Sequence, residues 1–207
     1  MTMKPSWFGR DDNSGVISAF ILAMLRSNMA PKTARTRAPK VTAVTPRDEE
    51  RIRALVAWTA RTLETPNPIP FGAEIVHTRT GERLMRAANA VKKQSDPSAH
   101  AEVRTVRLAC KRLKSFSLRG YTLYTTCEPC PMCMANALWA GLDRVVYGAT
   151  IADANHFCRQ IQIPAVEVAE RSDMTCIVVG PVLRELCLTL FTHPNMQKAF
   201  KTWSSRK

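Results

Sequence analysis

Apolar positions first fall into a regular pattern after residue 44. Ile52, Leu55, Val56, Thr59 and Leu63 recur three and four apart, which predicts a first helix running to about Leu63. Thr45-Pro46-Arg47-Asp48 supplies its start: a capping threonine, a proline at the first helical position and an acid three residues past the cap. Pro66, Pro68 and Pro70 prevent its continuation. Residues 71–78 then read as a strand, Thr80-Gly81 as a turn and 83–88 as the hairpin partner. Asp96-Pro97-Ser98 marks a loop, and from Ala99 the positions Val103, Val106, Cys110 and Leu113 predict a second helix. A short buried strand over 121–125, a helix over 130–140 ending at Gly141, and a strand over 144–147 follow. Beyond Asn155 the pattern is coarser: a helix over 164–171, a strand over 175–179, a helix over 183–191 and a basic terminal helix over 195–203. One helix, two strands and then alternating helix and strand predict a mixed sheet covered by helices on both faces.

The first 44 residues lack this register. Residues 27–40 carry Lys32, Arg35, Arg37 and Lys40 among small residues and prolines, the composition of a disordered basic arm. The apolar run over 16–25 is too short to span a bilayer. Asp11 and Asp12 precede it and no small-x-small cleavage site follows, which argues against a signal peptide. Met29-Ala30-Pro31-Lys32 reads as an alternative protein start. The expected organisation is therefore a basic N-terminal arm over 1–44, a core over 45–155 and a C-terminal extension completing the domain over 156–207. A chain of 207 residues suits one domain with appendages.

Charge and cysteine usage narrow the function classes. The formal net charge of +13 fits either a solvated basic surface or a polyanionic partner such as tRNA, single-stranded nucleic acid or a phosphorylated small molecule. Of the 7 cysteines, Cys127, Cys130 and Cys133 cluster, while Cys110, Cys158, Cys176 and Cys187 are scattered. A secreted disulfide scaffold would be short and dense in cysteine throughout. The pattern points instead to a reducing, cytoplasmic compartment with one clustered site, and to no membrane partner.

Two short segments carry the chemistry. Cys130 and Cys133 stand three apart at the start of a predicted helix, so they share one face, and the positive end of that helix favours thiolates. They form half of a tetrahedral zinc site. No second Cys-x-x-Cys is present, but His100 opens another predicted helix. Three protein ligands and one open position are the catalytic arrangement, in which water is acidified toward neutral pH. Glu102, two residues past the histidine, can reach that water as a proton shuttle without being a ligand. An iron–sulfur run would need a fourth cysteine where position 137 is Ala. His-x-Glu followed by Pro-Cys-x-x-Cys is the pattern of zinc deaminases.

The segments 96–103 (Asp-Pro-Ser-Ala-His-Ala-Glu-Val) and 126–133 (Thr-Cys-Glu-Pro-Cys-Pro-Met-Cys) resemble the cytidine and deoxycytidylate deaminase superfamily. Within it the chain is most similar to the bacterial guanine deaminases, with the tRNA adenosine deaminases next. The resemblance covers roughly residues 46–155. It implies a three-layer α/β/α cytidine deaminase-like fold with a central mixed sheet, one zinc ion per subunit and a homodimer. It further implies substrate contacts: Phe71 and Trp139 flanking a flat base, Asn89 bonding the ring, and Asp153 near the substrate amino group. The bland alternatives are that Phe71 and Trp139 are core residues, that Asn89 caps the hairpin strand and that Asp153 caps the next segment. His156 and His193 are expected to be surface or loop histidines. The stretch from Asn155 to Gln160 and the longer tail depart from the guanine deaminase pattern.

The expected function is hydrolytic deamination of a nucleobase or nucleoside, a guanine-like purine by preference, with release of ammonia. The alternatives are a tRNA adenosine deaminase and, in another class, a zinc-stabilised nucleic-acid-binding module without catalysis. The presence of Glu102 weighs against the last.

Overall fold

The computed structural model describes residues 43–204. The apolar run over 16–25 and all but the last two residues of the expected basic arm lie outside the described residues. Helix α1 (Pro46–Ala60) begins as its sequence dictates. The Thr45 hydroxyl accepts the Asp48 N–H, and the Asp48 carboxylate accepts the Thr45 N–H at 2.9 Å, a reciprocal capping box. The helix stops short of Leu63, which lies in the turn that follows.

Strands β1 (Gly72–His77), β2 (Arg83–Ala88), β3 (Tyr121–Cys127), β4 (Arg144–Ala149) and β5 (Ile177–Val179) form one sheet in the order β2-β1-β3-β4-β5. β1 is antiparallel to both neighbours, whereas β3, β4 and β5 run parallel. Helices α2 (Val91–Gln94) and α5 (Ile151–Asn155) are short elements that periodicity does not predict. The rest are α3 (Ala101–Leu113), α4 (Pro131–Trp139), α6 (Ala165–Glu170), α7 (Arg184–Thr192) and α8 (Pro194–Ser204). Gly141, with φ of +70°, follows α4 as expected.

Strand alternation sorts the core into two layers. Ala73, Ile75, Leu123, Val145 and Val178 pack with apolar residues of α3, α4 and α6 on one face. Val76, Tyr124, Val146 and Val179 pack with α1, α7 and α8 on the other. The result is the three-layer α/β/α arrangement. The helices press close: a Cβ on Gly72 would lie 2.1 Å from Thr59 Oγ1, so glycine there lets α1 approach β1. The tail is part of this core. Phe191 meets Phe71 edge-on with ring centroids 5.3 Å apart, and Phe157 and Phe200 stack beside it.

One polar group anchors α1 to the sheet. Asp48 is fully buried and accepts hydrogen bonds from the Tyr124 hydroxyl at 2.9 Å and from the Arg144 guanidinium at 3.0 and 3.1 Å. Burial alone would raise the Asp48 carboxyl, but Arg144, Thr45 and Tyr124 outweigh it and hold the group below its ordinary range. Removing one partner of a buried pair leaves the other charge uncompensated, at a cost of about 3 kcal/mol or more. Arg144→Ala should therefore lower stability on the order of 3 kcal/mol in urea unfolding near neutral pH. Because the folded carboxyl lies below its unfolded value of about 3.9, the contribution is full above that pH and is lost as pH falls through the folded value. A variant as stable as the parent at pH 7 would contradict this account of the anchor.

Candidate metal centre and active site

His100 and Cys130 occupy equivalent places, each the N-cap of a helix with extended backbone: His100 at φ −64°, ψ 155° before α3, and Cys130 at φ −63°, ψ 166° before α4. Neither side chain makes an oxygen-type cap to its helix, and the two point at a common centre with Cys133. Cys133 sits one turn into α4 and is buried. His100 Nδ1 lies 3.7 Å from Cys130 Sγ and 3.5 Å from Cys133 Sγ, and the two sulfurs are 3.6 Å apart. Zinc bound tetrahedrally at ~2.3 Å from sulfur and ~2.0 Å from nitrogen requires ligand-to-ligand edges of about 3.5–3.8 Å. The triangle matches those edges, so the donor set fits zinc in size as well as in chemistry. Among the described residues this is the one group of three His, Cys, Asp or Glu residues so disposed. His156 is exposed, and His193 lies 3.3 Å from Glu64, outside any such group.

Glu102 stands on the first turn of α3 and is 6% exposed. Its Oε2 is 3.6 Å from Cys133 Sγ, and its Oε1 is 3.2 Å from the Thr125 hydroxyl on β3. Desolvation raises its carboxyl above the usual range, so the group is poised to hold a proton. The Cys130 thiol is brought down to about 4, first by the hydrogen bond from Cys133 and also by His100. His100 is raised, chiefly by its hydrogen bond with Cys130. Cys133 moves up as the partner that keeps the shared proton.

Glu128 locks the loop that carries these cysteines. Its Oε2 accepts the Ile151 N–H at 3.0 Å and its Oε1 the Ala165 N–H at 2.9 Å, so one buried carboxylate joins the N-termini of α5 and α6. Sequence reasoning assigned no role to Glu128 or Thr125. A lone acid between Cys127 and Pro129 announces no helix start, because both helices it caps lie far along the chain.

Of the expected substrate contacts, Phe71 and Asn89 are brought together, the Asn89 N–H donating to the Phe71 carbonyl at 3.0 Å, while Trp139 and Asp153 lie on other elements. Asn89 Oδ1 accepts the Val91 N–H at 3.1 Å, capping α2 and leaving its amide nitrogen available. Phe71 is half-buried against Phe191, while Trp139 is 76% exposed. Trp139 instead borders a shallow surface cleft of about 430 Å³ with Val106, Arg107, Cys110, Phe116 and Asn136. Asp153 is engaged elsewhere. Its Oδ2 accepts the Thr150 N–H and Arg184 Nε, both at 2.9 Å, and its Oδ1 accepts Arg184 Nη2 at 2.5 Å. The Arg184 bonds hold its carboxyl down at about 2. Asp153 is thus the acid of a second capping box, with Thr150, and an ion-pair partner of α7. The expectation that it faces a substrate amino group meets a carboxylate whose oxygens already have partners.

Comparison with known proteins agrees with this geometry. The family model for the cytidine and deoxycytidylate deaminase zinc-binding region matches residues 45–149. Guanine deaminase from Bacillus subtilis (strain 168) is 46% identical over 85 residues, covering 41% of this chain and 53% of that protein. The tRNA-specific adenosine deaminase of the same organism is 35% identical over 128 residues, covering 62% of this chain and 76% of that protein. The chain thus spans about half the length of the guanine deaminase and three quarters of the tRNA enzyme. A structure from a study of tRNA:A34 deaminases has a TM-score of 0.56 at 27% identity, covering 68% of this chain and 99% of that one. Guanine deaminase from Nitrosomonas europaea has a TM-score of 0.61 at 19% identity, covering 81% and 90%, and shares the fold.

The ligand assignment has a direct test. Elemental analysis should find about one zinc per chain. Cys130→Ala should lose most of it, while Glu102→Gln should retain it, because the carboxylate is not one of the three ligands. Iron in place of zinc, or undiminished zinc in the Cys130 variant, would refute the assignment.

Proposed function

Because the chain belongs to the cytidine and deoxycytidylate deaminase family through its zinc-binding region, we propose that it is a zinc-dependent hydrolytic deaminase. It converts the ring amino group of a nucleobase or nucleoside, a guanine-like purine by preference, to a carbonyl with release of ammonia. The observation that carries this reading is the ligand triangle of His100, Cys130 and Cys133 with the buried carboxyl of Glu102 at its edge.

When bound there, zinc supplies a Lewis acid that draws the pKa of water toward neutrality. The chain supplies the rest. Glu102 takes up the proton that the attacking water loses, carries it to the ring nitrogen and delivers a proton to the departing amine. The Thr125 hydroxyl orients the carboxylate by its contact at Oε1. Burial keeps the Glu102 carboxyl, and the proton it carries, away from bulk solvent. Asn89, with its amide nitrogen unspoken for, is the residue best placed in chemistry to bond the ring.

The preference for a free base rests on the 46% identity to a guanine deaminase. A second reading, adenosine in tRNA, draws on the longer match to the tRNA enzyme and on the net charge of +13. We read residues 1–44 as a basic arm, 45–155 as the catalytic core and 156–207 as the extension that completes it. All cysteines among the described residues are free, which supports a reducing, cytoplasmic setting. No helix among the described residues is long and apolar enough to cross a membrane.

Ammonia release from free bases, nucleosides and tRNA, each at low and moderate salt, separates the substrates. A free base or nucleoside should be turned over at a rate that barely responds to salt. Glu102→Gln should lower that rate by about 10²–10⁴-fold. Turnover confined to tRNA and collapsing with salt would replace the first reading by the second.

The homodimer belongs to the same proposal. Trp139 at 76% and Phe116 at 88% exposed leave two large apolar groups beside one surface cleft, as expected of a face that a second copy covers. Sedimentation velocity should find a dimer, and Trp139→Glu should shift it toward monomer. A monomeric parent protein would overturn the assembly.

A further inference from the structure

A stripe of positive charge lies on the edge of the sheet, along the seam between α1 and β2. Arg47, Arg51, Ala54, Trp58 and Arg61 recur four and three apart, so they form one stripe of α1 and its C-cap. It adjoins the buried stripe of Ile52, Leu55 and Thr59. Facing it, Arg83 and Arg86 of β2 pair with Val76 and Glu74 of β1, and so project on the α1 side of the sheet. Ala54 and Ala57 are small and leave a shallow cleft of about 620 Å³, bordered by Trp58, Arg61, Arg83 and Arg86. β2 is the first strand in the sheet order, so the cleft opens along the edge.

The arginines divide into two kinds. Arg86 is fixed: it forks onto the buried carboxylate of Glu74 through Nε at 2.7 Å and through Nη2, and its guanidinium carbon lies 5.2 Å from the centre of the Trp58 ring. Arg51 is held by the Gly81 carbonyl and by Glu74 at 3.9 Å, and Arg47 by the carbonyls of Thr78 and Arg79. Bonds to carbonyls position Arg47 without neutralising it, whereas Arg51 and Arg86 share the single charge of Glu74. Arg61 and Arg83 are exposed and have no ion-pair partner among the described residues. Glu50 of α1 and Glu82 beside β2 are exposed, and neither is ion-paired with an arginine of the seam among the described residues. Charge on an edge strand also guards against strand pairing. That explains Arg83, but not its convergence with Arg61 and a guanidinium-capped tryptophan from a different element.

We propose that this seam binds the phosphodiester backbone of a single-stranded polynucleotide, at a site separate from the metal centre. The shape selects the ligand. α1 is 15 residues long, so the stripe extends about 20 Å, which suits several successive phosphates rather than one. The cleft is open and shallow, unlike the enclosed pocket that holds a mononucleotide. Arg61 and Arg83 meet the phosphates as mobile cations, and the fixed Arg86 offers its remaining Nη1 between them. The inference holds whichever base is deaminated, because none of these residues belongs to the proposed catalytic machinery.

The test uses the full chain and a fluorescently labelled single-stranded oligonucleotide, with anisotropy measured across a salt series. Counterion release makes the slope of log affinity against log salt about −0.7 per phosphate contact on single strands. Arg61→Ala combined with Arg83→Ala should make that slope shallower by about 1.4 and weaken binding at low salt by about tenfold or more. Arg112→Ala with Arg119→Ala removes the same charge from another exposed surface and should leave the slope within error. Both double variants should turn over the free base or nucleoside at the parent rate. Equal losses in the two double variants would mean net charge alone and would overturn the site. So would an unchanged slope in the Arg61/Arg83 variant, or stoichiometric binding of a nucleoside triphosphate at the seam with no binding of the oligonucleotide.

Discussion

Two helix N-termini meet at one end of the sheet, and the local geometry of the centre depends on that meeting. α3 and α4 each present a bundle of unpaired N–H groups and the positive end of a dipole. Bringing two such ends together is unfavourable unless negative charge lies between them. The His100–Cys130–Cys133 triangle supplies it, since thiolate character at Cys130 is favoured by its partners at the same place where the helix ends favour it. The sheet fixes the separation. β3 runs directly into the loop carrying Cys130, and the loop after β2 is tied to the start of α3 by the Ala90 N–H to Ala99 carbonyl bond at 2.9 Å. The centre is therefore rigid because it is built from element ends, not from loops alone.

Much of this was legible because its information is local. Cys130 and Cys133, and likewise His100 and Glu102, sit at spacings that a helix start converts into fixed geometry. Long helices and strands showed through their period for the same reason. Helices α2 and α5 did not, because four or five residues hold barely one turn of pattern. Asp153 is the instructive case. Thr150-Ile151-Ala152-Asp153 has the same form as Thr45-Pro46-Arg47-Asp48, and both fold into a capping box. The first was read as a helix start because an apolar stripe followed it. The second has no stripe to follow, so the sequence leaves capping and the substrate role implied by the resemblance side by side.

The surroundings of Phe71 are set by distant parts of the chain. What Phe71 touches is decided by Phe191, far along the chain, and by the way α7 lies across the sheet. That placement is enforced by the closeness of α7 to β4, where a Cβ on Gly148 would sit 2.1 Å from Cys187 Sγ. No spacing near residue 71 encodes this. The departure of the tail from the family pattern, visible in the sequence, has its physical meaning here. The apolar residues of the tail fill the α1 side of the core, joining Phe157, Phe191, Phe200 and Trp203 into one aromatic cluster.

The same contrast separates reaction from substrate. Activating water and shuttling a proton needs four side chains, all within two turns of a helix start, and a fold that brings the two starts together. Reading a base needs hydrogen-bonding groups and flat surfaces from several elements, each free of other partners. Here Asp153 is satisfied by Thr150 and Arg184, Phe71 by the core, and Asn89 by half through α2. A side chain can hold the fold or meet a ligand with a given atom, and hydrogen-bond capacity is finite. Specificity must therefore come from atoms the fold has left unoccupied. The Asn89 amide nitrogen is one such atom, which fits the ring-bonding role we propose for it.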